Sequence, residues 1–155
     1  MTQRPNPPPG EFVNRLSRRH LLIGWTGLLV FLALGIALEL LHGFKSDYYL
    51  DTRNTTRRLM WTLAHTHGTL FSLVNIAFAV SVSRITSAQE TLLPWASRGL
   101  CGALLLMPLG FFLGGLKFYG GDPGLGILLV PIGATLLLLG VGAFLVALVR
   151  SRGRN

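Results

Sequence analysis

Two histidines, His65 and His67, lie in the apolar stretch Trp61 to Asn75, where Thr62, Thr66, Thr69 and Ser72 supply the only hydroxyl side chains. Polar groups at membrane depth are costly and tend to mark function. A carboxylate and a third imidazole stand at Glu39 and His42, a spacing that brings both out of a helix side by side. Imidazoles with a carboxylate suit a transition metal: Glu39-x-x-His42 offers two ligands from one helix, and His65 or His67 would complete the set from the next. Neutral imidazoles also suit haem, with His42, His65 and His67 as the candidate ligands. The third chemistry is proton or ion coupling, in which Glu39 and a neighbouring histidine titrate near neutrality in a dehydrated site. Lys117 is expected to pair with Glu39. Asp122 is expected to cap the helix that follows it, with Pro123 in the first helical position.

The elements that position these groups follow from composition. The chain has 155 residues, of which 50% are hydrophobic and 13% charged, and its mean hydropathy is +0.53. That is too apolar for an ordinary soluble domain. A hydrocarbon core needs about 20 apolar residues per helix, and four stretches meet that length: 21–42, 60–83, 99–118 and 125–149. The expected fold is an all-α integral membrane protein of the cell membrane, a multi-pass bundle of four transmembrane helices. Residues 1–19, rich in proline and then basic, read as a disordered tail, residues 20–149 as the membrane domain, and residues 150–155 as a second basic tail. Ser17-Arg18-Arg19 resembles a twin-arginine export signal, but the long apolar run behind it reads as an uncleaved first span, which leaves His20 an interfacial residue.

The net charge of +8 does not point to nucleic acid, because the basic residues cluster at the ends of the apolar runs. With four spans, one side carries nine arginines, at positions 4, 15, 18, 19, 84, 98, 150, 152 and 154. The other carries five basic residues: Lys45, Arg53, Arg57, Arg58 and Lys117. Both termini are therefore expected to be cytoplasmic. Arg53, Arg57 and Arg58, spaced like one helical face, either anchor the loop in the headgroup layer or meet an anionic ligand. The single cysteine, Cys101, falls within the third span and reads as apolar packing.

At 100° per residue, Gly24, Leu28, Gly35, Glu39 and His42 share a face of the first span. On the second, His65, Gly68, Thr69, Ser72, Ile76 and Ala79 share an arc, with Asn75 at its edge. His67 lies about 200° from His65, so the two face one centre only if the helix is distorted or a neighbouring helix receives His67. The third span carries a stripe of Gly99, Ala103, Gly110, Gly114 and Lys117, and Pro108 interrupts its hydrogen bonding. In the fourth, Gly126, Gly133, Gly140 and Ala147 form a seam for close packing.

Alternating spans bring Glu39, His42, His65, His67, Lys117 and Asp122 to one membrane depth. The plain reading is mutual pairing near an interface, and the sharper one is a site. Catalysis is not indicated, since no Ser-His-Asp order, Cys-x-x-Cys, phosphate loop or His-Glu-x-x-His is present. The expected function is that of a binding or accessory subunit of a larger membrane complex, its partners being the bilayer and sister subunits or further copies of itself. Four short spans with a carboxylate in the first also resemble the architecture of small multidrug exporters, which implies a proton-coupled oligomeric transporter. Glu39 departs from that pattern by lying near the helix end. A purely structural membrane protein is the third reading.

Overall fold

The computed structural model describes residues 9–51, 55–84 and 91–152. These are helical apart from one small hairpin and the connections. The helices are α1 (Pro9–Gly43), α2 (Thr56–Val82), α3 (Leu93–Leu116) and α4 (Leu129–Arg152), the last preceded by a 3-10 turn, Leu125–Leu128. Each of the four is long and apolar enough to cross a membrane. They pack in chain order, α1 along α2, α2 along α3 and α3 along α4, while α1 meets α3 only sparsely. Of the most apolar 18 residues of α3, 56% are buried, against 11% for α1 and 17% for α4. The α2–α3 pair is therefore the centre, and α1 and α4 flank it.

Small residues set these pairings. Along α1, Gly24 faces Ser72 and Ile76, Gly27 faces Ser72, and Gly35 lies against the His65 ring. Gly68 of α2 in turn receives the ring of Phe31. On the other flank Gly133 lies against Met107, Gly140 against Gly99 and Leu100, and Ala147 is fully buried. Gly126 lies against Leu113 and Gly114, so the three glycines of the seam face α3, while Ala147 joins a cluster with Leu16, Phe78 and Leu93. Backbones approach closely where side chains are small, which matters in lipid because apolar burial gives helices no advantage there.

The first helix starts earlier than its composition suggests. Residues 9–19 of the expected tail are helical, with Pro9 in the first position, where its missing N–H costs nothing. Glu11 and Arg15 form an i,i+4 ion pair of 3.8 Å, and the stripe Phe12, Val13 and Leu16 packs on Phe78, Val82, Leu93 and Ala147. At 1.5 Å per residue the 35 residues of α1 reach about 52 Å, well beyond a core of about 30 Å. Its first turns thus bind all four helices together at the end where α1 begins and α4 finishes.

At the other end α1 closes on a Schellman motif. Ser46 N–H donates to Leu41 O (3.0 Å) and Lys45 N–H to His42 O (3.1 Å), with Lys45 itself at φ +52°. Pro94 lies in the first turn of α3, a position that needs no N–H. After α3 the strands β1 (Phe118–Tyr119) and β2 (Asp122–Pro123) pair antiparallel across Gly120 and Gly121, both at positive φ. Two adjacent glycines suit this two-residue turn. Asp122 is consequently held in the hairpin opposite Tyr119 and caps nothing; Gly124 is the cap residue of the turn that leads into α4.

Candidate functional site

The hairpin end carries the first candidate site. Glu39, His42, Arg58, Tyr49, Thr55 and Thr62 line a recess of about 410 Å3. A second recess of about 400 Å3 shares Glu39, Tyr49 and Thr62 with it and reaches Gly35 and His65. Glu39 and His42 project from the last turns of α1, whereas Arg58, Thr62 and His65 come from the first turns of α2, so the site lies along the seam of that pair. His65 is held by a 2.7 Å hydrogen bond between Nδ1 and Phe31 O; the carbonyl accepts, so Nδ1 carries the proton and Nε2 is left for a ligand. Glu39 and His42 are exposed and His65 is half-buried.

The other expected members lie elsewhere. His67 Nδ1 donates to Leu63 O at 2.9 Å, and its ring packs on Phe111 of α3 at 4.9 Å and on Phe71 at 5.7 Å. A neighbouring helix therefore takes His67, and the two imidazoles do not converge. Lys117 is not the partner of Glu39: among the described residues the only ion pair joins Glu11 to Arg15. The cause is the pairing order, because the α3 stripe that ends at Lys117 faces α4 through Gly99 and the turn before α4 through Gly110, while Glu39 lies on the α1–α2 side. Asp122 is exposed on the hairpin. Among the described residues no three His, Cys, Asp or Glu side chains come together in a form that would hold a metal.

The two adjacent arginines divide their work. Arg57 donates from Nη1 to Tyr48 O (2.7 Å) and from Nε to Gly115 O (3.1 Å), and its guanidinium stacks on the Tyr48 ring at 3.7 Å. It caps the C-terminal carbonyls of α3, where a cation is favoured. Arg58 faces the recess. Arg53 lies outside the described residues. Trp61 fixes the floor nearby, donating from Nε1 to Phe112 O (3.1 Å) and stacking on Phe112 and Tyr49.

The end with the termini holds a second polar centre that the expected cluster did not include. His20 is fully buried, and so are Ser72 and Asn75. Asn75 Nδ2 donates to Phe71 O (2.8 Å), which turns its Oδ1 toward His20 Nδ1 at 2.7 Å. An amide oxygen only accepts, so His20 carries its proton on Nδ1, and the bare Nε2 accepts from the Ser97 hydroxyl at 2.7 Å. Cys101 Sγ lies 3.9 Å from both His20 Nε2 and Asn75 Oδ1, and Phe78 meets the imidazole edge to face at 4.5 Å. Nearby, Ser17 donates to Ala79 O at 2.9 Å. This centre is fully satisfied and joins three helices. His20 is thus no interfacial bystander. Its signal was present in the spacing, since Leu16, His20, Gly24 and Leu28 follow one another at four-residue steps.

Compared with known protein families, characterised proteins and solved structures, the chain matches none. The site therefore has to be read from its own chemistry. A satisfied neutral network is suited to holding helices in register. Two adjoining recesses that share an exposed carboxylate, with an arginine and His42 in one and His65 in the other, are suited to binding.

Proposed function

We propose that this chain is a membrane-embedded binding subunit of a larger membrane assembly, and that the recess at the hairpin end receives a polar group from a ligand or a sister subunit. One observation carries the reading: Glu39 lines both recesses, beside His42 and Arg58 in one and His65 in the other, and makes no ion pair within the chain among the described residues. A carboxylate and a guanidinium that line one recess without pairing with each other suit a partner with both donors and acceptors. The polar end of the chain would then be its recognition face, and the apolar flanks of α1 and α4 would meet lipid or neighbouring helices.

The distribution of basic residues supports cytoplasmic termini, which puts the recess on the external side of the membrane. The position of Glu39 at a helix end fits binding better than coupled transport, since coupling sites usually lie near the midplane.

The test is assembly size. Native membranes carrying the chain, solubilised in mild detergent, should yield a particle larger than the single chain, and Glu39→Gln with Arg58→Gln should release the free chain with its helix content unchanged. Migration as a single chain from the outset, or an assembly indifferent to both substitutions, overturns the reading. Optical and elemental analysis of the same particle identifies any haem or metal held with it.

A further inference from the structure

Between α1 and α3, which pack on each other only sparsely, runs a cleft of about 570 Å3. Ile23, Val30 and Leu34 form one wall and Leu105 and Pro108 the other, with Ala64 of α2 as the floor. Thr26 and Cys101 are the only side chains bearing a heteroatom along it. From Ile23 to Leu34 the wall rises about 16 Å. A space of this length with almost wholly apolar walls suits a hydrocarbon chain.

The two ends of the cleft differ. About one turn before Ile23 on α1 and Cys101 on α3, the hydrogen bond between His20 and Ser97 ties the two helices together. One turn beyond Ile23 on α1 stands Arg19, and one turn beyond Cys101 on α3 stands Arg98, both exposed. Arg98 lies 5.4 Å over the ring of Trp95, an exposed indole of the kind found at headgroup level. Arg15, Arg18, Arg84 and Arg150 add to the charge of this end, where Glu11 is the only acidic side chain among the described residues. Apolar walls leading up to two exposed arginines, one on each wall helix, complement one ligand chemistry: a hydrocarbon chain ending in a phosphate.

We propose that this cleft binds one anionic phospholipid, an acyl chain lying along Ile23 to Leu34 and the headgroup phosphate held between Arg19 and Arg98. The bound lipid fills the gap that α1 and α3 leave in the row of helices.

Native mass spectrometry of the full chain in mild detergent, titrated with phosphatidylglycerol or with phosphatidylcholine of the same acyl chains, tests the assignment. One phosphatidylglycerol per chain should be held about tenfold more tightly than phosphatidylcholine. Arg19→Gln and Arg98→Gln together should bring the two lipids close to parity, while Arg15→Gln, at the same end but paired with Glu11, should leave the preference intact. Val30→Trp, placed on an exposed position of the wall, should reduce uptake of both lipids several-fold with an unaltered melting curve. Equal retention of the two lipids, a loss with Arg15→Gln as large as with Arg19→Gln, or full retention in Val30→Trp overturns the proposal. Dimers without lipid that Val30→Trp disperses would assign the cleft to a second copy of the chain and overturn it equally.

Discussion

The side chains of His20 and Ser97 are separated by 77 positions in sequence and meet at 2.7 Å. Their contact fastens α1 to α3, two helices that otherwise pack on each other only sparsely. Asn75 completes the fastening from α2, with its amide orientation set by its own helix. Asn75→Leu should leave the His20 Nδ1–H buried without an acceptor and cost about 1–3 kcal/mol. His20→Leu combined with Asn75→Leu should be less damaging than the two losses added, by about 0.5–2 kcal/mol. Unfolding of the four proteins of this cycle in mixed micelles measures the coupling, and additive losses would show that the two side chains act independently.

Gly35 is the contact that lets α1 approach His65. A methyl group there would stand 2.5 Å from His65 Cε1. Gly35→Ala should push the imidazole away from Phe31 O or part the helices, at a cost of about 1–3 kcal/mol. A melting temperature equal to that of the parent would refute this tight fit. If the recess binds as proposed, the substitution should also weaken the assembly.

Lys45 holds the left-handed position that ends α1, at φ +52°. A residue with a Cβ is strained there by about 1 kcal/mol relative to glycine. Lys45→Gly should therefore raise stability by roughly that amount, against the usual destabilising effect of glycine. Denaturant unfolding reads the sign directly.

Glu39→Gln and Arg58→Gln should each change the stability of the isolated chain by no more than about 0.5 kcal/mol, because both side chains are exposed. Any effect on the assembly would then be an effect on recognition. A large loss of intrinsic stability would instead return the pair to a structural role.

Sidedness can be read with thiol chemistry. In a Cys101→Ser background, Ser46→Cys at the hairpin end should react with an impermeant maleimide on intact cells, whereas Asn14→Cys near the start of α1 should react only after lysis. The opposite pattern would invert the topology and place the recess toward the cytoplasm.

The sequence alone determined the number of helices and their apolar faces, because hydrocarbon thickness and helical period leave few alternatives for runs of this length. It also marked the arc from His65 through Ser72 to Ile76 as a buried face and the glycine seam of α4 as a packing surface; in the fold the first lies on α1 and the second on α3. Glu39, His42 and His65 share recesses because alternating spans and a three-residue spacing were enough to bring them together. What only the tertiary structure decided was which helix flanks which. With α1 against α2 and α4 against α3, Lys117 is kept away from Glu39, and His67 turns to Phe111. Asp122 was settled by local turn geometry, since Gly120 and Gly121 fold it into a hairpin before it can cap a helix. The early start of α1 escaped notice for a related reason: prolines mask a helix whose stripe of Phe12, Val13 and Leu16 gains its stability only from the ends of three other helices. Composition reports what a segment can bury, but the burial of His20 depended on donors and acceptors 55 and 77 positions away, and that geometry exists only once the helices have packed.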